Sequence, residues 1–243
     1  MSFTVVIPAR FGSTRLPGKA LLQIAGQPMV AHVVARANES LAHRVIVATD
    51  DERIADAVAS LECEVCMTRE DHESGSDRIA EVVTSMDIAD QEVVVNVQGD
   101  EPLIPGELIN RMAESLAGSD AAMSTAAMKI DSDKDLHNPN VVKVVFNRNN
   151  EAMYFSRSTI PYAREAQIQC AYRHIGIYGY RAKFLRRYHL LEESLIEQTE
   201  KLEQLRVLDN GEKIVVEVVS HGTGIGVDTA EDLEQVRAIF NNR

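Results

Sequence analysis

A short loop near the N-terminus concentrates groups that bind anions. It runs from Pro8 to Lys19 with the sequence PARFGSTRLPGK and contains two glycines, two hydroxyl side chains and three cations. Glycines allow backbone N–H groups to approach an anion closely, and Lys and Arg side chains neutralise its charge. The loop follows an apolar run over residues 3–9, which is typical of a buried strand, and ligands bind at the carboxyl ends of parallel strands. We therefore interpret the loop as a binding site for a phosphate-rich ligand.

The spacing within this loop differs from that of a Walker A loop. The distance from Gly12 to the pair Gly18-Lys19 is one residue too long, and Ala20 stands where a Walker loop has the Ser or Thr that holds Mg²⁺. The loop suits a triphosphate, but other residues must hold the metal.

Two acidic residues are candidates for that task. The strongest strand pattern in the chain, residues 92–97 (EVVVNV), is followed closely by Asp100 in the sequence QGDEP. Because Mg²⁺ takes carboxylates and substrate phosphates as ligands, Asp100 is predicted to bind it at the same sheet edge as the loop. Asp228 follows the glycine-rich turn GTGIGV, but the residues after it also suit the start of a helix with acids in its first turn. Asp228 is therefore either a metal ligand or part of a helix cap.

Three further polar segments have weaker patterns. Ser74 and Gly75 form a turn that opens a helix and offers hydrogen bonds to a base. Arg157 has the planar guanidinium that pairs with a carboxylate through two hydrogen bonds. His174 lies in apolar sequence, where a lone histidine is by default structural.

Composition and charge exclude several classes of function. The chain has 243 residues, of which 45% are hydrophobic and 26% charged, and its formal net charge is -12. Without a positive patch or a Lys/Arg run, nucleic acid and anionic membranes are not its expected partners. The apolar N-terminal run has no basic residues before it and ends at Pro8, and no apolar stretch reaches the length of a membrane span. Three cysteines are too few for a disulfide framework. We predict a cytoplasmic protein that neither enters a membrane nor binds nucleic acid.

Strand and helix patterns alternate through the first half of the chain. Strands are predicted at residues 3–9, 44–48, 64–67 and 92–97, and helices at residues 28–38, 51–60, 77–85 and 105–116. This alternation indicates an α/β fold with a mostly parallel sheet and helices on both faces.

The alternation becomes irregular between about residues 121 and 180. Further strands are predicted at 141–146, 152–156, 174–180 and 213–219, and helices at 182–191, 197–208 and 230–240. We predict a single domain over residues 1–243, with a smaller mixed lobe within about 121–190 that forms one side of a cleft and a subunit contact.

An ordered set of segments resembles a known enzyme family. The segments are IPARFGSTRLPGK, VATDDERI, SGSDR, VNVQGDEPLI, NPNVVKVV, YFSRSTIPY, RHIGIYGYR, KLEQLRVL and GVDTAEDLE. Over essentially the whole chain they resemble the 3-deoxy-manno-octulosonate cytidylyltransferases. The resemblance implies a Rossmann-like nucleotidyltransferase fold with a smaller dimerisation lobe, hence a homodimer. One departure is the connection over residues 163–172, which is shorter than in such enzymes.

The resemblance also implies roles for individual residues. The CTP phosphates would be held by Arg10, Ser13 and Lys19, and the cytidine side would be formed by Ser74, Gly75 and Arg78. The sugar acid would be held by Gln98, Arg157, His174, Tyr178, Glu203 and Gln204. Asp100 and Asp228 would bind Mg²⁺, and the catalytic set would be Lys19, Arg10 and Asp100.

The reaction that this implies is transfer of the cytidylyl group of CTP to 3-deoxy-manno-octulosonate (Kdo), an acidic sugar used in lipopolysaccharide biosynthesis. An alternative acceptor is another acidic sugar, such as 8-amino-Kdo or a sialic acid. A dinucleotide-dependent oxidoreductase is excluded because no G-x-G-x-x-G follows the first strand.

Overall fold

The β-branched runs of the sequence form a nine-stranded sheet. The computed structural model describes residues 2–12, 16–72, 74–164, 170–220, 222 and 224–242. The strands are β1 (Phe3–Pro8), β2 (Gln23–Ile24), β3 (Gln27–Pro28), β4 (Arg44–Thr49), β5 (Glu64–Met67), β6 (Val93–Asn96), β7 (Met123–Lys129), β8 (Lys143–Phe146), β9 (Ala152–Ser156), β10 (Tyr172–Arg181) and β11 (Ile214–Val218). The helices are α1 (Met29–Asn38), α2 (Glu52–Val58), α3 (Gly75–Ser85), α4 (Gly106–Ala117), α5 (Asp133–His137), α6 (Ala182–Arg186), α7 (Leu195–Glu200), α8 (Gln204–Asp209) and α9 (Ala230–Asn241).

The order of the main sheet is β11-β7-β10-β6-β1-β4-β5, while β2 and β3 form a separate hairpin. Neighbouring strands are parallel except where β10 runs against β6 and β7. The carboxyl ends of β1, β4, β6 and β7 therefore share one edge. This is the mostly parallel sheet that the sequence predicts.

Alternate residues of the inner strands enter two hydrophobic cores. Val5 and Val95 lie in the core with α1, α2 and α4, whereas Val6 and Val94 lie in the core with α3, α6 and α8. Burial on both faces explains why these strands are continuous apolar runs rather than alternating ones. The closing helix α9 belongs to a third, smaller core together with β2 and the start of α1.

Several predicted elements have different limits. The helix predicted over 197–208 is wrong: α7 ends at Glu200, Lys201 adopts a left-handed conformation with φ of 54°, and α8 is a separate helix. The helix predicted over 182–191 is α6 followed by a 3₁₀ turn over Tyr188–Leu190. Strand β7 was not predicted because its sequence, MSTAAMK, is poor in β-branched residues.

The irregular region is only partly separate from the main sheet. β7 and β10 are inner strands of that sheet, and β8 and β9 extend from β10 as an antiparallel pair. The separate part of the predicted lobe is therefore built around β8 and β9. None of the helices described here combines the length and the apolar character that crossing a membrane requires.

Candidate active site

Two carboxylates meet one ammonium group at the carboxyl edge of the sheet. The Nζ atom of Lys19 lies 2.5 Å from Oδ2 of Asp100 and 3.3 Å from Oδ1 of Asp228. Lys19 begins a 3₁₀ turn after the N-terminal loop, Asp100 follows β6, and Asp228 precedes α9. Three groups that are far apart in sequence thus form one charged cluster at the floor of a cleft.

Close backbone packing places Asp100 in this cluster. A Cβ atom on Gly99 would lie 2.8 Å from the carbonyl oxygen of Pro8, so only glycine lets the loop after β6 run directly against the end of β1. The backbone N–H of Val227 donates to the carbonyl of Asp100 at 2.9 Å. This hydrogen bond ties the C-terminal segment to the loop after β6.

The glycine-rich turn brings Asp228 to the same place. Gly224 has a φ of +93°, and a Cβ atom there would lie 2.9 Å from Cβ of Leu103. The cap of α9 is formed by Thr229 and Asp232, whose side chain accepts hydrogen bonds from the backbone N–H groups of both Asp228 and Thr229. The sequence allowed two interpretations of Asp228, as a metal ligand or as part of a helix cap. In the structure two other residues form the capping box, and the Asp228 carboxylate contacts Lys19.

The chemistry of this cluster fits a hard divalent cation. Both carboxylate oxygens lie within 3.3 Å of one cationic nitrogen. Within the described part of the chain, no group of three or more His, Cys, Asp or Glu side chains converges on one point. The protein can therefore offer two carboxylates, and substrate oxygens and water would complete the octahedral coordination that Mg²⁺ prefers.

The nucleotide-side residues line the cleft around this cluster. Among the lining residues are Arg10, Ser74, Gly75, Arg78 and Gln98, together with Lys19, Asp100 and Asp228. Ser13, which the resemblance implies as a phosphate ligand, lies outside the described residues, as do residues 165–169 of the short connection.

Arg78 lines the cleft with a buried side chain and is not an exposed cation. Its Nη2 atom donates to Oδ2 of Asp50 at 2.7 Å, and its Nη1 atom donates to the hydroxyl of Thr68. The guanidinium is 4% exposed. Asp51 caps α2, whereas its neighbour Asp50 holds Arg78.

His72 also lines the cleft and was not assigned a role from the sequence. Its Nε2 atom contacts Oε2 of Glu81, and its side chain is 5% exposed. Burial raises the pKa of Glu81, but hydrogen bonds from His72 and from the backbone N–H of Arg69 outweigh this, and the pKa is lowered. Nine positions and the start of α3 separate His72 from Glu81, so the local sequence gave no signal for this contact.

Most of the predicted sugar-side residues form a second cluster, on the face of the sheet that carries α8. Nε2 of His174 lies 2.9 Å from the hydroxyl of Thr125, and the Tyr178 hydroxyl donates to Oε1 of Gln204 at 3.4 Å. Burial lowers the pKa of His174 to about 3 and raises the pKa of Tyr178. The His174 and Tyr178 rings lie 5.5 Å apart. These side chains are therefore neutral and packed against one another.

Glu203 joins this cluster through a tyrosine. The Tyr188 hydroxyl donates to Oε1 of Glu203 at 2.8 Å, and burial raises the pKa of Tyr188. Glu203 and Gln204 begin α8, just beyond the left-handed residue that separates α8 from α7. The break in the predicted helix is thus what turns these two residues toward β10.

Arg157 stands apart from the other sugar-side residues. Its guanidinium donates to three backbone carbonyls, those of Glu200 at 2.7 Å, Pro139 at 3.2 Å and Lys201 at 3.4 Å. Its backbone N–H donates to the Glu200 carboxylate at 3.0 Å. In this arrangement Arg157 joins the segment after β9 to the end of α7, and its role toward a sugar carboxylate stays a prediction.

Comparison with known proteins gives one consistent result. Residues 4–214 match the family described as Cytidylyltransferase. The chain is 54% identical over 250 residues to a 3-deoxy-manno-octulosonate cytidylyltransferase from Yersinia enterocolitica, with 100% of each chain covered. It is 55% identical to the enzyme of that name from Serratia proteamaculans, with 98% of each chain covered.

A solved structure is similar along its whole length. It is a CMP:2-keto-3-deoxy-manno-octonic acid synthetase complexed with CTP. The TM-score is 0.93 at 43% identity, and the match covers 99% of this chain and 98% of that one.

Proposed function

Because the chain belongs to the 3-deoxy-manno-octulosonate cytidylyltransferases, we propose that it transfers the cytidylyl group of CTP to Kdo. The products are CMP-Kdo and pyrophosphate. The observation that carries this proposal in the structure is the Lys19–Asp100–Asp228 cluster at the floor of the cleft. It combines a cation for phosphate with two carboxylates for a metal, which is what transfer from a triphosphate needs.

The reaction forms one bond to phosphorus and breaks another. The anomeric hydroxyl oxygen of the sugar attacks the α-phosphorus, the bond from that phosphorus to the bridging oxygen of the β-phosphate breaks, and pyrophosphate leaves with the electron pair. The hydroxyl proton is released. Positioning the two substrates in line and neutralising charge are therefore the main tasks of the protein.

Lys19 and Arg10 carry the positive charge on the nucleotide side. Lys19 is 17% exposed and anchored between two carboxylates, whereas Arg10 lies on the exposed end of the loop after β1. Charge accumulates on pyrophosphate as the bond breaks, so these cations contribute more in the transition state than in the ground state. We assign Lys19 to the leaving group and Arg10 to the triphosphate.

Asp100 and Asp228 would hold Mg²⁺. When bound there, the ion would supply charge neutralisation and polarisation of the phosphate oxygens. The Lys19 ammonium pairs with both carboxylates and offsets one of their two negative charges. The cluster is thus kept together by the protein's own charges.

The nucleoside and the sugar would occupy the two sides of Gln98. Ser74, Gly75 and Arg78 lie on one side and would contact cytidine, while His174, Tyr178, Glu203 and Gln204 would face the sugar. Gln98 lines the cleft near Gly75, at the start of α3.

We also propose a cytoplasmic homodimer. In β9 and just after it, two large apolar side chains are exposed, Met153 at 65% and Tyr162 at 85%. Such groups are typical of a surface that a second subunit covers. Sedimentation of the purified protein should give twice the chain mass, and Met153→Lys should shift it toward the monomer; a wild-type monomer would reject the dimer.

A pyrophosphate-release assay with product identification tests the activity. The four nucleoside triphosphates are each combined with Kdo, 8-amino-Kdo, a sialic acid or glucose 1-phosphate, in the presence of Mg²⁺. We expect turnover with CTP and Kdo and formation of CMP-Kdo. Turnover with 8-amino-Kdo or a sialic acid instead would change the acceptor, and turnover only of glucose 1-phosphate with UTP or dTTP would refute the proposal.

A further inference from the structure

Two buried side-chain amides near the sugar-side cluster have an atom without a hydrogen-bond partner among the described residues. They are Oδ1 of Asn96, an acceptor, and Nε2 of Gln204, a donor. Asn96 is 2% exposed and Gln204 is 4% exposed. Buried polar groups in proteins are nearly always hydrogen-bonded, so two such atoms in one region need a physical explanation.

The strand register places Asn96 beside Tyr178. The two residues are direct partners in the antiparallel pairing of β6 and β10, so their side chains lie on the same face of the sheet. The Tyr178 hydroxyl donates to Oε1 of Gln204, which leaves the NH₂ group of that amide as its remaining polar group. Asn96 and Gln204 therefore flank Tyr178, one with an acceptor and the other with a donor.

The same position adjoins the nucleotide side of the cleft. Gln98, two residues after Asn96, lines the cleft. The hydroxyl of Tyr180, another residue of β10 on this face, lies 3.2 Å from Oγ of Ser76 at the start of α3. Burial raises the pKa of Tyr180, while hydrogen bonding to Ser76 and Asn96 lowers it. Asn96 thus lies where the cytidine side and the sugar side of the cleft meet.

A sugar hydroxyl is the group that complements this pair. A hydroxyl donates one hydrogen bond and accepts others, whereas a carboxylate only accepts and an ammonium only donates. The Tyr178–Gln204 hydrogen bond is long, at 3.4 Å, and is readily exchanged for a ligand contact.

We infer that Asn96 is a specificity-determining residue that accepts a hydrogen bond from one sugar hydroxyl, and that Gln204 donates a hydrogen bond to the same hydroxyl. Access requires the Tyr178–Gln204 contact to open. This inference rests on the proposed function and extends it, since Asn96 is not among the residues that the sequence resemblance implies.

The test is the variant Asn96→Leu, which removes the acceptor and keeps a branched side chain of similar shape. We expect the KM for Kdo to rise at least tenfold and the KM for CTP to stay within twofold, with a lower Tm because the hydrogen bond between Asn96 and Tyr180 is also lost. The matched control is Ser124→Ala. Ser124 is also buried on an inner strand but donates to the carbonyl of Met112 at 2.9 Å, so its removal should lower the Tm and leave both KM values unchanged.

Monodeoxy analogues of Kdo identify the hydroxyl. In the wild type, the analogue that lacks it should lose at least tenfold in kcat/KM, and in Asn96→Leu the same analogue should lose less than threefold relative to Kdo. Should leucine overfill the site, Asn96→Ala removes the same acceptor without added bulk, and the comparison is made on that variant. Wild-type activity on Kdo in the same assay separates this inference from the proposed function.

Equal losses in wild type and variant for every analogue would overturn the inference. So would a lower Tm with an unchanged KM for Kdo, because the Asn96 oxygen would then be a purely structural group. Absence of CMP-Kdo from the wild type would instead refute the proposed function.

Discussion

The two clusters of predicted site residues are built from opposite kinds of chemistry. On the triphosphate side, Lys19, Asp100 and Asp228 are charged, partly exposed and in direct contact. In the predicted sugar-side cluster, His174 and Tyr178 are half-buried and neutral, with the His174 pKa lowered to about 3 by burial. The charged cluster lies at the carboxyl edge of the sheet and the neutral cluster on the face that carries α8, so the difference comes from the loops and helices around each of them.

This difference suggests that the two clusters have separate tasks in the reaction. Charged groups act most strongly where charge develops during bond breaking, which is on the nucleotide. Neutral buried groups recognise shape and hydroxyl position, and they bind substrate and transition state about equally. Substitutions on the first side should therefore reduce kcat, and those on the second side should raise the KM for the sugar.

The largest effect is expected for Asp100→Asn. It keeps the shape of the side chain but removes the charge that contacts Lys19 and would hold the metal, so kcat should fall on the order of 10²-fold or more. The measurement is turnover at saturating CTP, Kdo and Mg²⁺. Asp120→Asn is the control, because Asp120 pairs with Lys213 on the surface at 3.0 Å and should keep full activity. Comparable loss in both variants would show that the effect is not specific to the cluster.

Asp228→Asn should lower kcat on a similar scale without loss of stability. The cap of α9 is formed by Thr229 and Asp232, so it survives this change. Thr229→Ala should do the reverse, with about 1 kcal/mol less stability and nearly normal turnover. Urea denaturation and steady-state turnover of both variants provide the check. Normal turnover of Asp228→Asn at limiting Mg²⁺ would remove Asp228 from the metal site.

The variant Arg157→Ala distinguishes two roles of Arg157, and its expected effect is of intermediate size. If Arg157 binds the sugar carboxylate, the loss of a buried charged partner costs about 2–5 kcal/mol and the KM for Kdo rises steeply. If it only joins the segment after β9 to the end of α7, as its three carbonyl contacts indicate, the Tm falls and the KM is unchanged. The sequence predicts the first outcome, with CTP affinity nearly unchanged. An unaltered KM for Kdo would restrict Arg157 to a structural role.

Sequence patterns indicated residues of the charged cluster, but they did not indicate the contacts within the neutral cluster. Lys19 and Asp100 stand next to strong strand patterns, and glycine marks where the backbone must pack closely. The contact between Tyr178 and Gln204 depends on the left-handed residue Lys201, which ends α7 and lets α8 start in a new direction. A helical pattern continues across that position, so apolar periodicity alone could not reveal the break.

The sequence also did not indicate that Asn96 pairs with β10. β10 inserts between β6 and β7 and runs against both, although it comes much later in the chain. Hydrophobic patterning identifies a strand but does not give its neighbours. Local sequence likewise gave no sign that Asp50 would reach Arg78.

A smaller effect, on the pH dependence of stability, is expected from His174. In the unfolded chain histidine titrates near 6.5, whereas in the folded protein burial lowers the pKa of His174 to about 3. Between these values the unfolded chain binds a proton that the folded protein does not, so His174 makes stability fall as the pH decreases through this window. Between pH 7.5 and pH 5 this amounts to about 2 kcal/mol.

His174→Gln should remove that part of the pH dependence. Urea midpoints at pH 5 and pH 7.5 give the comparison, with the exposed His189→Gln as control. A pH dependence equal to that of the wild type would show that His174 is protonated in the folded protein and that the sugar side is not neutral.

The claim that the two clusters have separate tasks is tested most directly by two-substrate kinetics on the variants Lys19→Met and Tyr178→Phe. For Lys19→Met we predict a kcat lowered on the order of 10²-fold, a raised KM for CTP and an unchanged KM for Kdo. For Tyr178→Phe we predict a KM for Kdo raised about fivefold, from the loss of one hydrogen bond worth ~1 kcal/mol, with kcat and the KM for CTP nearly unchanged. If Lys19→Met kept its kcat at saturating CTP, or if Tyr178→Phe lowered kcat as strongly as Lys19→Met, the two sides would not have separate tasks.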